Sequence, residues 1–191
     1  MTELSARVSI DLESMASTSG ELIVYSPALA LFPKEIAQEA AFLPLCNPNQ
    51  VVMERLRNGA GLAPENCFCG IFTLDPLLNW AQLEPILRNA NFRGLCNFPT
   101  LPDFGEEERN ALVASDYSYD SEIARLADLA GDTFELLVVY SDDCQFDRAK
   151  AQLSASSTTF CKLGAIQYMR LEGATAVGQL GDSVSPFRSL L

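Results

Sequence analysis

Apolar residues are arranged along this chain in two ways: short continuous runs, and longer stretches with apolar positions every three or four residues. The short runs are 21–25, 67–72, 94–98 and 134–140, each bounded by Gly, Pro, Asn or Asp. That pattern predicts buried β-strands. Between them, helical periodicity predicts helices over 48–58, 77–89, 119–131 and from Asp143 to about Leu153. Asn47 is the expected cap of the first helix and Gly131 the stop of the third, whose apolar face is Ile123, Leu126, Ala127 and Ala130. Shorter helices are predicted over 11–17 and 32–40, and another opening at Glu106-Glu107-Glu108. Residues 7–10 read as a short strand or an arm. The tail after Ser154 is rich in Ser, Thr and Gly, with one candidate strand at 164–169.

Strand and helix in alternation predict an α/β fold with a mainly parallel sheet and right-handed crossovers. Pattern alone leaves two architectures open: a βα barrel, incomplete or remodelled, and an open doubly wound sheet. No linker divides the 191 residues, so one domain over 1–191 is the economical reading. A full eight-unit barrel usually takes about 250 residues.

Charge and composition narrow the chemistry. A formal net charge of −12 disfavours nucleic acid and anionic membrane surfaces as partners. Met1-Thr2-Glu3-Leu4 lacks a basic, apolar leader, and Pro27 breaks the strongest apolar run, so a cytoplasmic protein with no membrane segment is expected. The six cysteines then read as reduced thiols. Histidine is absent. That removes the usual neutral-pH base and leaves carboxylates, Tyr, Cys, Lys, Arg and backbone dipoles for any chemistry.

Polar residues cluster where the predicted strands end, which is where parallel βα proteins gather their functional groups. Asp75, after Phe72-Thr73-Leu74, could move a proton or bind a hard cation; it could equally cap the helix that begins at Pro76. Asn97 and Thr100 could orient a carbonyl, and Tyr25, Ser26, Cys96, Phe98, Tyr140 and Asp142 are candidate substrate contacts. Cys144 is a second candidate thiol near the mouth. The pair Asp142-Asp143 could hold Mg²⁺, although such pairs more often cap a helix. Cys67 and Cys69 alternate as strand residues do, which suits packing better than a metal site. No resident cofactor and no protein metal ligand are implied.

Gly94-Leu95-Cys96-Asn97-Phe98-Pro99-Thr100 resembles the Gly-hydrophobic-X-Asn-Phe-Pro-Thr segment of the phosphoenolpyruvate hydrolase-like family. These are also called TIM-barrel signal transduction proteins, and are related to isocitrate lyase and phosphoenolpyruvate mutase. Phe72 to Pro76 is similar to the family's Ala-Thr-Asp-Pro turn with one residue shifted. Arg109-Asn110-Ala111-Leu112 and the strands at 21–25 and 137–143 add support over roughly residues 20–150, with 154–191 a divergent tail. The family's Gly-rich first loop, its Arg-bearing second loop (here Ser26 to Leu31) and its late histidine strand have no counterpart. The resemblance implies a TIM-like parallel barrel. It further implies lyase, hydrolase or isomerase chemistry on a carbonyl- or enol-containing metabolite, more hydrophobic than phosphoenolpyruvate and of the kind found in secondary metabolism. The alternative is a non-catalytic descendant that binds a ligand or a partner. A barrel short of strands exposes sheet edges, which makes a homo-oligomer the expected assembly.

Overall fold

The computed structural model describes residues 6–12, 21–33, 45–59, 61–100, 117–153 and 157–162, together with the backbone of a strand at 166–168. Among the described residues there are seven strands and four α-helices: β1 (Ala6–Ser9), β2 (Leu22–Tyr25), a 3₁₀ turn (Pro27–Leu31), α1 (Pro48–Arg57), β3 (Cys67–Gly70), α2 (Trp80–Asn89), β4 (Gly94–Cys96), α3 (Tyr119–Ala130), β5 (Glu135–Tyr140), α4 (Asp143–Gln152), β6 (Thr158–Lys162) and β7 (Ile166–Tyr168). Apart from their first two residues, the helices expected over 11–17 and 32–40 lie outside the described residues, as do the one at Glu106, the segment Arg109 to Leu112 and most of the tail.

The helices begin where their caps dictate. Asn47 Oδ1 accepts from the Gln50 amide at 2.9 Å, Ser118 Oγ from Ser121 at 3.1 Å, and Asp142 Oδ1 from Gln145 at 2.8 Å. One start differs from expectation. Asp75 does not cap a helix; its Oδ1 accepts from Leu77 N at 2.8 Å in a tight turn. The helix begins later, with Asn79 as cap and Trp80 as its first residue. Asp75-Pro76 favours a turn first, and the next side chain able to cap is Asn79.

The described strands pair in parallel throughout, in the order β6-β5-β4-β3-β2-β1-β7. Successive strands from β1 to β6 are neighbours, without the reversal that a doubly wound sheet requires. The doubly wound alternative is therefore set aside.

Chain length then forces curvature. Lys162 and Ile166, on opposite edges of this sheet, are four residues apart in sequence, so their Cα atoms are within about 15 Å of each other. Seven flat strands would separate those edges by roughly 29 Å. The sheet curls into an incomplete parallel barrel whose open seam lies between β6 and β7.

The two faces of the sheet bear this out. Ile23, Tyr25, Cys67, Cys69, Leu95, Leu136 and Val138 face the helices and pack with Val52, Leu83, Leu87, Ile123 and Leu126. The alternate residues Ala6, Val8, Val24, Phe68, Cys96, Leu137, Val139 and Cys161 form a second core with Leu29 and Phe98. That second core draws on six strands and is buried with no described α-helix over it. Side chains from opposite sides of the curl fill it, as in small barrels.

Its floor is tight. A Cβ on Gly94 would overlap the Glu135 carbonyl oxygen and lie 2.7 Å from the Phe68 ring. Arg93 stacks 5.5 Å from that ring's centre and pairs with Glu135 at 2.8 Å. Among the described residues no helix is long and apolar enough to cross a membrane.

Candidate functional site

Asn97 follows β4 and points to the helix side, between the inward-facing Cys96 and Phe98. Its Oδ1 accepts from Val139 N at 2.7 Å, and its Nδ2 donates to Val139 O at 3.0 Å, so the side chain closes the end of β4 onto β5. The same nitrogen lies 2.6 Å from Glu122 Oε1 and 3.3 Å from Thr100 Oγ1. Thr100 also donates to Glu122 Oε1, at 2.7 Å. Thr73 Oγ1 reaches the Glu122 backbone carbonyl at 3.2 Å, and Tyr119 Oη donates to Val139 O at 2.9 Å. Burial, with Glu122 next in effect, pushes the Tyr119 phenol well up, so it acts as a hydrogen-bond donor and not as a base.

Glu122 is only 2% exposed and was not singled out from the sequence. Its signal is its position. It sits three residues after Tyr119 and four before Leu126, on the buried stripe of α3 with Ile123 and Ala130. A carboxylate inside an apolar stripe needs partners. Asn97 and Thr100 supply them.

Asp75 belongs to a different cluster. Its Oδ2 accepts from Asn49 Nδ2 at 3.0 Å, while Asn49 clamps Phe72 by donating to its carbonyl at 2.9 Å and accepting from its amide at 3.0 Å. Asn49 is on α1, and its link to a loop 23 residues away left no local trace in the sequence. The cluster borders a cleft of about 160 Å³ between α1 and α2, whose lining includes Asn47, Asn49, Asp75, Asn79 and Gln82.

The other candidates are placed as follows. Tyr25 faces the helices, 5.7 Å from Phe92, and burial raises its phenol. Tyr140 is on the same side, 5.1 Å from Phe146. Ser26 is buried; its amide donates to Ser9 O at 2.8 Å and its carbonyl starts the 3₁₀ turn. Cys96 and Phe98 are inner-core residues, the thiol pushed well up by burial. Cys67 behaves likewise, its thiol pushed up to about 12. Asp142 is an exposed helix cap, and Cys144 is exposed beside it.

Tyr25, Asp75, Asn97 and Tyr140 thus sit at or beyond the ends of neighbouring parallel strands, as expected, yet they do not line one cavity. The tyrosines are in the helix-facing layer, Asp75 is at the α1–α2 cleft, and Asn97 is tied to Glu122. Strand alternation explains the outcome. Tyr25 and Tyr140 share the parity of the outward residues Ile23 and Val138, and Asn97 that of Leu95. Among the described residues no group of three or more His, Cys, Asp or Glu converges as a metal cage.

No known protein family's sequence profile matches the chain. The chain is similar to "Uncharacterized protein y4oT" of Sinorhizobium fredii (strain NBRC 101917 / NGR234), with 28% identity over 97 residues. That match covers 51% of this chain and 49% of the relative, so the likeness spans about half the length of each.

Proposed function

We propose that this chain is a shortened TIM-like barrel of phosphoenolpyruvate hydrolase-like ancestry that binds a ligand or a partner without catalysing its conversion. One observation carries the reading: the side chains first in line for chemistry are committed to the scaffold. Both Asp75 oxygens hold donors from Leu77 and Asn49. The Asn97 amide is bonded at both ends, across β4 and β5 and onto Glu122. The loop after β2, polar and Arg-bearing in the resembled family, is here the apolar turn Pro27–Leu31, and its Leu29 is built into the inner core.

A second reading, an enzyme acting on a carbonyl or enol compound, draws on Glu122. A buried carboxylate at the carboxyl ends of β4 and β5, in a chain without histidine, is a proton carrier in many enzyme sites. The two readings separate by turnover. The full chain is incubated in D₂O with a panel of ketones, 2-oxo acids and phosphoenolpyruvate, with and without Mg²⁺, and followed by NMR. A binder leaves every compound unchanged. Exchange or cleavage that disappears in a folded Glu122→Gln variant overturns the binding reading in favour of the enzyme.

A further inference from the structure

The α1–α2 cleft carries an inference that holds whichever of those readings stands. We propose that it is a binding site for one neutral, hydroxyl-rich ring, a monosaccharide or cyclic polyol. Size comes first. About 160 Å³ is well below the roughly 300–1,000 Å³ of drug-sized ligand sites, and admits a single small ring.

The lining then selects the chemistry. Carboxamides reach the cleft from three elements: Asn49 and Gln50 on α1, Asn79 from the loop after β3, and Gln82 on α2. An amide presents a donor and an acceptor side by side, the complement of a hydroxyl, which is both at once. Asn49 is spent inside the wall, its Nδ2 on Phe72 O and Asp75 Oδ2 and its Oδ1 on Phe72 N, so it shapes the cleft and does not itself meet the ligand. Two amides are fixed at their oxygens and keep their NH₂ groups for a ligand: Asn79 Oδ1 accepts from Gln82 N at 3.3 Å, and Gln82 Oε1 accepts from Arg57 at 3.2 Å. Fixed polar groups lose little entropy when a ligand arrives. Met53, Leu78 and Leu83 form the apolar part of the wall, suited to the C–H face of a ring.

Charge argues for a neutral ligand. Asp75 is the carboxylate in the wall, buried, with both oxygens already bonded. An anion would meet that carboxylate within a protein of net charge −12. A cation would find those oxygens already occupied.

The test uses the full chain and four neutral probes, glucose, N-acetylglucosamine, myo-inositol and glycerol, with acetate and inorganic phosphate as anionic controls. Saturation-transfer NMR and calorimetry measure binding. At least one ring probe is expected to bind, and glycerol to bind more weakly. Asn79→Ser keeps a helix cap but removes the amide nitrogen; it is expected to weaken ring binding about tenfold with an unchanged melting temperature. Gln82→Leu provides a second variant away from the cap and is expected to weaken binding similarly. Binding of the anions in preference to the rings, no binding by any ring probe, or ring binding unmoved in both variants would each overturn the proposal. Turnover of the carbonyl panel has no bearing on this outcome, so the two results fail separately.

Discussion

Two buried amide–carboxylate pairs stabilise this molecule, and they are unlike in a way that separates fold from function. In the first, Asn49 of α1 holds the turn Phe72–Asp75, and the carboxylate's other oxygen takes a backbone amide two residues away. That carboxylate ties one loop to α1, and no strand pairing passes through it. In the second, Asn97 and Thr100 both converge on one oxygen of Glu122, 22 to 25 residues distant, with Asn97 also joining β4 to β5. The first pair borders an open cleft, where water can replace a lost bond. The second is sealed between sheet and helix. The same chemical groups should therefore have different energetic weight.

The largest effect is expected at Asn97. Asn97→Ala removes a partner from Val139 N–H and from the Glu122 carboxylate, both buried, and is expected to destabilise by about 4 kcal/mol. Urea unfolding measures it; a loss under about 1 kcal/mol would mean the sealed cluster is no tighter than a surface one. Asn49→Ala is expected to lose about 2 kcal/mol, because the Phe72 backbone groups and Asp75 can recruit water from the cleft. An equal or larger loss than at Asn97 would reverse the comparison.

Thr100→Val keeps shape and removes the hydroxyl that shares Glu122 Oε1 with Asn97, for an expected loss of about 1.5 kcal/mol. Its value lies in pairing. Combined with Asn97→Ala it should depart from additivity, since both act on the same oxygen. Combined with Asn49→Ala it should add within about 0.5 kcal/mol. Coupling across the clusters would mean that they form one network, joined through Thr73, whose side chain bonds the Glu122 carbonyl.

How much of this could be read in advance depends on the range of each interaction. The strands at 21–25, 67–72, 94–98 and 134–140 and their helices follow from local periodicity, and each has its observed counterpart within a few residues. β6 (Thr158–Lys162) was hidden because its threonines merge with the Ser/Thr-rich stretch before it, and only pairing with β5 makes it a strand. The curl of the sheet lies in strand order, which no window of sequence contains. At the site, residue types were legible while directions were not. Asn97 and Asp75 look alike as polar residues after a strand, but the parity of β4 turns Asn97 toward α3. Glu122 could have been found by asking why a carboxylate occupies an apolar stripe. Asn49 could not, since its partner lies 23 residues away on a loop.

The smallest effect concerns Asp142, a carboxylate that belongs to neither cluster and so calibrates both. It follows β5 just as Asp75 and Asn97 follow β3 and β4, and on sequence it competes with them for a role in binding. Its side chain accepts from Gln145 N, capping α4 at an exposed position. Asp142→Ala is therefore expected to lose about 1 kcal/mol, and Asp142→Asn, an equally good cap, almost nothing. Neither change should alter ring binding at the α1–α2 cleft. A loss of binding in Asp142→Asn, with the melting temperature unchanged, would show that a strand-end carboxylate outside both clusters reaches a ligand, and that the division into scaffold and cleft had been drawn in the wrong place.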